Sequence, residues 1–141
     1  MKRLKSRNVL AFDHATYRFL DLVGIGQDYL RRTSATMFIL ESHVTFQREL
    51  VAGDPLRVAT QIMGVDRKRL HYFHTMYHGE QGYLVATNEL MAIHVDTASR
   101  RSRAIPEEAL IRLRDIEARH RRLPRSAEVG RVIGLGATRI G

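Results

Sequence analysis

Residues 36–50, TMFILESHVTFQREL, alternate between apolar and polar side chains with the period of two that is typical of a β-strand. One predicted face carries Phe38, Leu40, Val44 and Phe46, and the other carries Glu41, His43, Thr45 and Gln47. The sequence Ala52-Gly53-Asp54-Pro55 that follows is typical of a turn. We therefore predict a long strand that ends in a turn.

Three further strands are predicted after this turn. Residues 56–63 and 83–95 carry apolar side chains at alternate positions, and residues 70–77 are rich in aromatic side chains and histidine. Short polar segments at residues 66–68 and 79–82 separate these strands. Four strands joined by short turns predict an antiparallel meander.

Two helices are predicted, one before and one after the meander. Residues 15–32 carry apolar side chains all around a helical surface, which is typical of a helix enclosed on most sides. Gly24 and Gly26 weaken its second half, so we expect a bend there or the close approach of another element. Residues 105–122 begin with a proline and two acids, which favours a helix start. The sequence thus predicts an α+β domain in which an antiparallel sheet wraps a long buried helix, with a basic C-terminal helix.

The length of 141 residues and the hydrophobic content of 44% are enough for one core. We expect a single domain over residues 1–123 and a mobile basic tail over residues 124–141. The absence of cysteine excludes disulfides and a cysteine nucleophile. No uncharged apolar run approaches membrane-spanning length, so we expect a soluble, cytoplasmic protein with no membrane partner.

The formal charge of +8 is concentrated late in the chain, because residues 100–141 contain eleven arginines against five acids. A clustered basic surface is typical of proteins that bind nucleic acid or nucleotide phosphates. A solvated basic helix followed by a loose tail has the same composition. We adopt the second interpretation and do not expect a nucleic-acid partner.

Three short strings resemble one enzyme family: His14-Ala15-Thr16-Tyr17, Leu40-Glu41-Ser42-His43 and Arg67-Lys68-Arg69-Leu70-His71. They are similar to segments of the hot-dog-fold acyl-CoA thioesterases, in the 4-hydroxybenzoyl-CoA thioesterase-like superfamily. The group of betainyl-CoA thioesterases associated with L-carnitine dehydrogenase is the most similar, over roughly residues 12 to 108.

This resemblance implies a hot-dog fold and hydrolysis of a small acyl-CoA such as betainyl-CoA. It implies no separate cofactor, because coenzyme A is part of the substrate. It also implies a homodimer or a tetramer of dimers, with active sites between protomers. Family members normally have a strand before the buried helix, which here must be built from residues 7–12 or be absent.

Thioester hydrolysis needs a carboxylate, and donors placed where the oxyanion develops. Asp13 lies at the predicted start of the buried helix, where it could act as an acid or only as the N-cap. The resemblance makes the backbone amide of His14 the oxyanion donor and places the family's common catalytic aspartate on Arg7. Either Asp13 or Glu41 then replaces that acid, or the chain only binds acyl-CoA or a partner protein.

Glu41 and His43 lie two residues apart on a predicted strand, so they project from one face as an acid and histidine pair or as part of a solvent-facing row. The resemblance favours the pair.

Five further residues are candidates for binding the substrate. Arg67, Lys68 and Arg69 would suit the phosphates of coenzyme A, although a polar hairpin tip is commonly basic for solubility alone. Tyr17 and Phe73 could face a quaternary ammonium group, although aromatic side chains in strands are more often part of the core.

His71 belongs to the third family-like string and is a candidate for substrate binding. His71, His74 and His78 would form a metal-binding stripe only on a helix. On the predicted strand, His71 points away from the other two. We therefore predict no metal site.

Overall fold

The computed structural model describes residues 2–135 of the chain. Its elements are α1 (Lys2–Leu22), α2 (Gln27–Thr33), β1 (Ala35–Phe46), β2 (Leu56–Val65), β3 (Arg69–His78), β4 (Leu84–Asp96), β5 (Arg101–Ser102) and α3 (Glu107–His120). The predicted α+β class, the four strands and the C-terminal helix are confirmed. The predicted four-stranded meander was wrong, because β1 pairs with β4 instead of β2, and only β2, β3 and β4 form a meander. No helix within residues 2–135 is both long and apolar enough to cross a membrane.

All the strands form one antiparallel sheet in the order β1-β4-β3-β2, and the short β5 pairs with the end of β4. Strands β2, β3 and β4 are joined by successive hairpins, so neighbours in sequence are neighbours in the sheet. Strand β1 pairs only with β4 and is therefore one edge of the sheet. Strand β2 is the other edge.

A β-bulge interrupts the alternation of β1. The pairing with β4 shifts between Ile39 and Glu41, which leaves Leu40 as an extra residue. Phe38 therefore shares a face of the sheet with Glu41, whereas the sequence pattern placed them on opposite faces. That part of the prediction was wrong, because an extra residue reverses the inside and outside positions beyond it.

The start of the first helix also differs from the prediction. Helix α1 already includes Lys2, and residues 7–12, where a strand was considered, are helical. Residues 2–12 contain neither glycine nor proline, so nothing local stops the helix there. Asp13 and His14 thus lie inside α1, and the amide of His14 belongs to its ladder of hydrogen bonds instead of a free helix end. The side chain of Arg7 lies outside the described part of the chain.

Only one stripe of α1 faces the sheet. The sequence pattern predicted a helix enclosed on most sides, and that prediction was wrong. Phe12, Thr16 and Leu20 are buried, whereas Tyr17 and Leu22 are 51% and 71% exposed. The expected break follows Leu22, where Gly24 has a positive φ of 86°. A Cβ atom on Gly26 would meet the carboxylate of Asp21, so a larger residue there requires that exposed side chain to move.

Helix α3 closes the core at the β2 edge. Its buried residues Ala109 and Leu113 pack in the same core cluster as Leu20, Leu70 and Tyr72. At its end, Nδ1 of His120 accepts a hydrogen bond of 2.9 Å from the backbone N–H of Ile62, an edge group of the sheet.

Residues 124–135, which we predicted to belong to a mobile tail, contact the sheet. The guanidinium of Arg125 donates to the carbonyl oxygen of Met63 (3.3 Å), and the N–H of Gly130 donates to Glu89 Oε1 (2.7 Å). The side chain of Gln47 donates to Glu128 Oε1 (3.4 Å). This C-terminal segment crosses the face of the sheet opposite α1, which differs from the loose tail that we expected. Residues 136–141 lie outside the described residues.

Candidate active site

A cavity of about 250 Å³ lies between α1, α2 and the edge strand β1, and we call it the inner cavity. Asp13, Thr16, Tyr17, Gln27 and Thr36 supply its polar side chains. Its apolar lining consists of Leu20, Ile25, Leu30, Met37, Ile39 and Leu90. A mostly apolar pocket with a few converging polar groups is the usual form of a small-molecule site.

A buried polar network lies behind the inner cavity. Oγ1 of Thr16 is 2.8 Å from Nε2 of His74 and 3.4 Å from the hydroxyl of Tyr72, and Nδ1 of His74 is 2.8 Å from Oγ1 of Thr60. Burial lowers the pKa of His74 to about 4. Burial, together with the negative charge of Asp13, raises the pKa of Tyr72 to about 12. The rings of His74 and Tyr72 are therefore both neutral near pH 7. Among the residues that line the inner cavity, Asp13 carries the one carboxylate.

A second cavity, of about 580 Å³, lies on the opposite face of the sheet, and we call it the outer cavity. Four titratable side chains of the sheet line it, namely Glu41, His43, His71 and Glu89. Nε2 of His71 is 2.6 Å from Oε2 of Glu89. Gly130 and Arg131 of the C-terminal segment line the same cavity. Within residues 2–135, no three histidine, aspartate or glutamate side chains are placed to hold a metal ion together.

Glu89 is a candidate that the sequence analysis missed. It lies directly opposite His43 in the pairing of β1 with β4 and opposite Phe73 in the pairing of β3 with β4. Only the register of these strands reveals that Glu89 and His71 meet, because the two residues are 18 positions apart. An acid within an apolar strand was the one available signal.

The structure brings the predicted site residues together in two groups, on opposite faces of the sheet. Asp13 and Tyr17 line the inner cavity, whereas Glu41, His43 and His71 line the outer one. Within residues 2–135, Glu41 and His43 form no hydrogen bond with each other.

The remaining predicted residues lie apart from both groups. His14 lines a groove beside the β2 edge, together with Arg18 and Leu56. Phe73 is only 2% exposed, so it contacts a substrate only if its surroundings move. Arg67, Lys68 and Arg69 are exposed at the β2–β3 turn, where Arg69 pairs with Asp66 at 2.8 Å.

The profile of the Thioesterase-like superfamily matches residues 5–113. Over 131 residues, the chain is 36% identical to a betainyl-CoA thioesterase of Pseudomonas aeruginosa, which covers 93% of this chain and 82% of that protein. Four further relatives are each named L-carnitine dehydrogenase/betainyl-CoA thioesterase, and the chain spans between 19% and 26% of their length.

Two solved structures are similar to this chain over most of its length. A Staphylococcus aureus protein in complex with CoA has a TM-score of 0.86 and 29% identity, and a Pseudomonas putida KT2440 protein has a TM-score of 0.77 and 29% identity. Each match covers 92% of this chain and 82% of the other. The chain therefore belongs to the thioesterase-like superfamily, and it is an acyl-CoA thioesterase with the predicted hot-dog fold.

Proposed function

We propose that this protein hydrolyses the thioester of a small acyl-CoA, with betainyl-CoA as its preferred substrate. The observation that carries this proposal is the inner cavity, in which one carboxylate and one tyrosine stand beside apolar walls. Its volume of about 250 Å³ suits a small acyl group. The 36% identity to a betainyl-CoA thioesterase supports the choice of acyl group.

The betainyl group carries a trimethylammonium cation, which is attracted to aromatic faces and to carboxylates. Tyr17 and Asp13 offer these two groups at the inner cavity, and the apolar walls suit the methyl groups. We therefore assign recognition of the ammonium chiefly to Tyr17. This leaves the carboxylate of Asp13 for the reaction itself.

In the reaction, a water molecule attacks the thioester carbonyl carbon while Asp13 takes the proton of that water as general base. The carbon–sulfur bond then breaks, and the thiolate of coenzyme A leaves and is protonated. The amide of His14 is held within α1, so we assign polarisation of the carbonyl to the side chains of Thr16 and Gln27, which line the same cavity. Glu41, in the outer cavity, is the rival acid.

The test is release of free thiol from a panel of coenzyme A thioesters by the full chain. The panel contains betainyl-CoA, 3,3-dimethylbutyryl-CoA, acetyl-CoA and a long-chain acyl-CoA. The dimethylbutyryl group has the shape of betainyl without its charge. We expect kcat/KM for betainyl-CoA to exceed that for each other thioester by about tenfold or more.

Each alternative has its own outcome in this panel. Equal turnover of betainyl-CoA and its neutral analogue would show that the enzyme does not recognise the charge of the ammonium group. Betainyl-CoA would then not be the preferred substrate. No thiol release from any thioester would contradict hydrolysis and leave a protein that binds acyl-CoA.

The cytoplasmic location of the protein stays a prediction.

We also propose that the protein forms a homodimer through β1, either alone or within a tetramer of dimers. Strand β1 is a 12-residue edge strand, and its side chains Phe38, Ile39, Leu40 and Phe46 are between 38% and 57% exposed. A long apolar edge strand is a template for pairing with another chain. The inner cavity is lined by Thr36 and Ile39 of this strand, so the second copy would cover its mouth.

Replacing Leu40 with arginine is expected to convert the dimer to a monomer, because the arginine would place a charge within the paired edge. Sedimentation velocity over a range of protein concentrations measures this. Val51→Arg is the matched control, because Val51 is 72% exposed and lies in the loop after β1, outside the strand. A wild-type protein with the mass of one chain, or a Leu40→Arg variant with the mass of two, would contradict the proposal.

A further inference from the structure

Two turns at one end of the sheet place six basic side chains next to each other. The β2–β3 turn and the first residue of β3 carry Arg67, Lys68 and Arg69. The β4–β5 turn, β5 and the residue after β5 carry Arg100, Arg101 and Arg103. All six are exposed. We call this surface the basic hairpins.

Direct contacts hold the two hairpins together. The backbone carbonyl oxygen of Lys68 accepts from the N–H of His94 at 2.7 Å, and that of Arg67 accepts from the N–H of Ile105 at 2.8 Å. Nζ of Lys68 lies 3.2 Å from Oγ of Ser102. The relative position of the two turns is therefore fixed by the backbone.

The basic hairpins carry more positive charge than their acids offset. Asp66 pairs with Arg69 at 2.8 Å, and Asp96 lies 3.8 Å from Arg103. Within residues 2–135, the other four cations, at positions 67, 68, 100 and 101, form no ion pair. Arg100 also has a positive φ of 59°, a conformation that glycine adopts more easily. Such an exposed cluster, held in place by rigid turns, suits a ligand with several phosphate charges.

We propose that the basic hairpins bind the 3′-phosphorylated adenosine diphosphate part of the acyl-CoA, with Arg100 and Arg101 as contributors to that binding. This inference rests on the proposed function, because the same ligand must reach the inner cavity with its acyl end. Thr36 of the inner cavity and Ser102 of β5 both pair with Val95, from opposite sides of β4. Two strand spacings, about 10 Å, separate them. The pantetheine arm of coenzyme A is long enough to cover this separation.

The direct test is calorimetric titration of the full chain with adenosine 3′,5′-bisphosphate, and with adenosine 5′-monophosphate for comparison. The double variant Arg100→Ala, Arg101→Ala is compared with Arg119→Ala, Arg121→Ala, which removes the same charge from exposed positions of α3 and its end. We expect the hairpin variant to weaken binding of the bisphosphate by about tenfold or more, and the control by less than about twofold. Equal weakening by both variants, or no binding of the bisphosphate to the wild type, would overturn the proposal.

Steady-state kinetics distinguish nucleotide binding by the basic hairpins from hydrolysis of the thioester. With betainyl-CoA, the hairpin variant should raise KM about tenfold and leave kcat unchanged, whereas turnover of betainyl-pantetheine, which lacks the nucleotide, should be the same as in the wild type. An equal loss with both thioesters would contradict a role in nucleotide binding. Failure of turnover alone contradicts the proposed function, since the calorimetric result does not depend on hydrolysis. A single-stranded oligonucleotide that binds the hairpins more tightly than the bisphosphate would replace the proposed ligand with a nucleic acid.

Discussion

Asp13→Asn is expected to lower kcat for betainyl-CoA hydrolysis by between about 10² and 10⁴. Asparagine keeps the size and most of the polarity of aspartate, but it cannot accept the proton of the attacking water. The fold should persist, because the side chain of Asp13 is exposed and forms no hydrogen bond or ion pair within residues 2–135. Asparagine and aspartate also have similar helix propensities.

Steady-state thiol release by the Asp13→Asn variant measures this loss, and circular dichroism checks that the fold is retained. Asp115→Asn is the control, because Asp115 is exposed on α3 and should leave kcat within about twofold. Glu41→Gln decides between the two cavities. If it abolishes turnover while Asp13→Asn does not, the reaction takes place in the outer cavity and the assignment of Asp13 is wrong.

Acidification from pH 7 to pH 5 is expected to reduce the free energy of unfolding, with about 2 kcal/mol of the loss due to His74 alone. Burial lowers the pKa of His74 to about 4, whereas an unfolded chain restores the ordinary value of 6.5. Between these two values the unfolded state binds more protons, so stability is present above pH 6.5 and is lost as pH falls toward 4. Burial also lowers the pKa of His94 and of His120, so both add to the loss in the same direction.

Urea unfolding at pH 7 and at pH 5 measures this loss for the wild type and for His74→Gln. Glutamine can still bond to Thr16 and Thr60 but does not titrate, so the loss between the two pH values should shrink by about 2 kcal/mol. Met76→Ala is the control, because Met76 is buried on the same strand and does not titrate. Removing its side chain should lower the free energy of unfolding equally at both pH values, so the difference between pH 7 and pH 5 should stay as in the wild type. A His74→Gln variant with the wild-type pH dependence would show that the pKa of His74 is the same in the folded and unfolded states, which would contradict the effect of burial.

Most of the sheet could be predicted from the sequence, because alternation along a strand is visible in neighbouring residues. The predicted strand over residues 83–95 agrees closely with β4, and the helix predicted over residues 105–122 contains α3. Strand β5 was missed because two residues are too short to show any period. The predicted start of α1 was wrong for two reasons. Aspartate favours a helix cap without requiring one, and the residues before Asp13 contain no helix breaker.

The candidate site was harder to predict than the fold. Alternation indicates which residues share a face, but not which face the helix covers, so the sequence could not show that Asp13 and Glu41 lie on opposite sides of the sheet. The pairing of His71 with Glu89 depends on the register of β3 with β4. The contacts of residues 124–135 were missed for a similar reason, because they join side chains and backbone groups that are far apart in sequence.

The extra residue at Leu40 has a consequence for comparing this chain with others. Ile39 and Glu41 already pair with the consecutive residues Ala92 and Met91, so loss of Leu40 would leave both halves of β1 in register and on their present faces. Chain length at this point is therefore free to vary by one residue without changing the sheet. An alignment that places this gap after Glu41 would exchange the inward and outward residues between the gap and Leu40, and would assign the acid at position 41 to the wrong side of a relative.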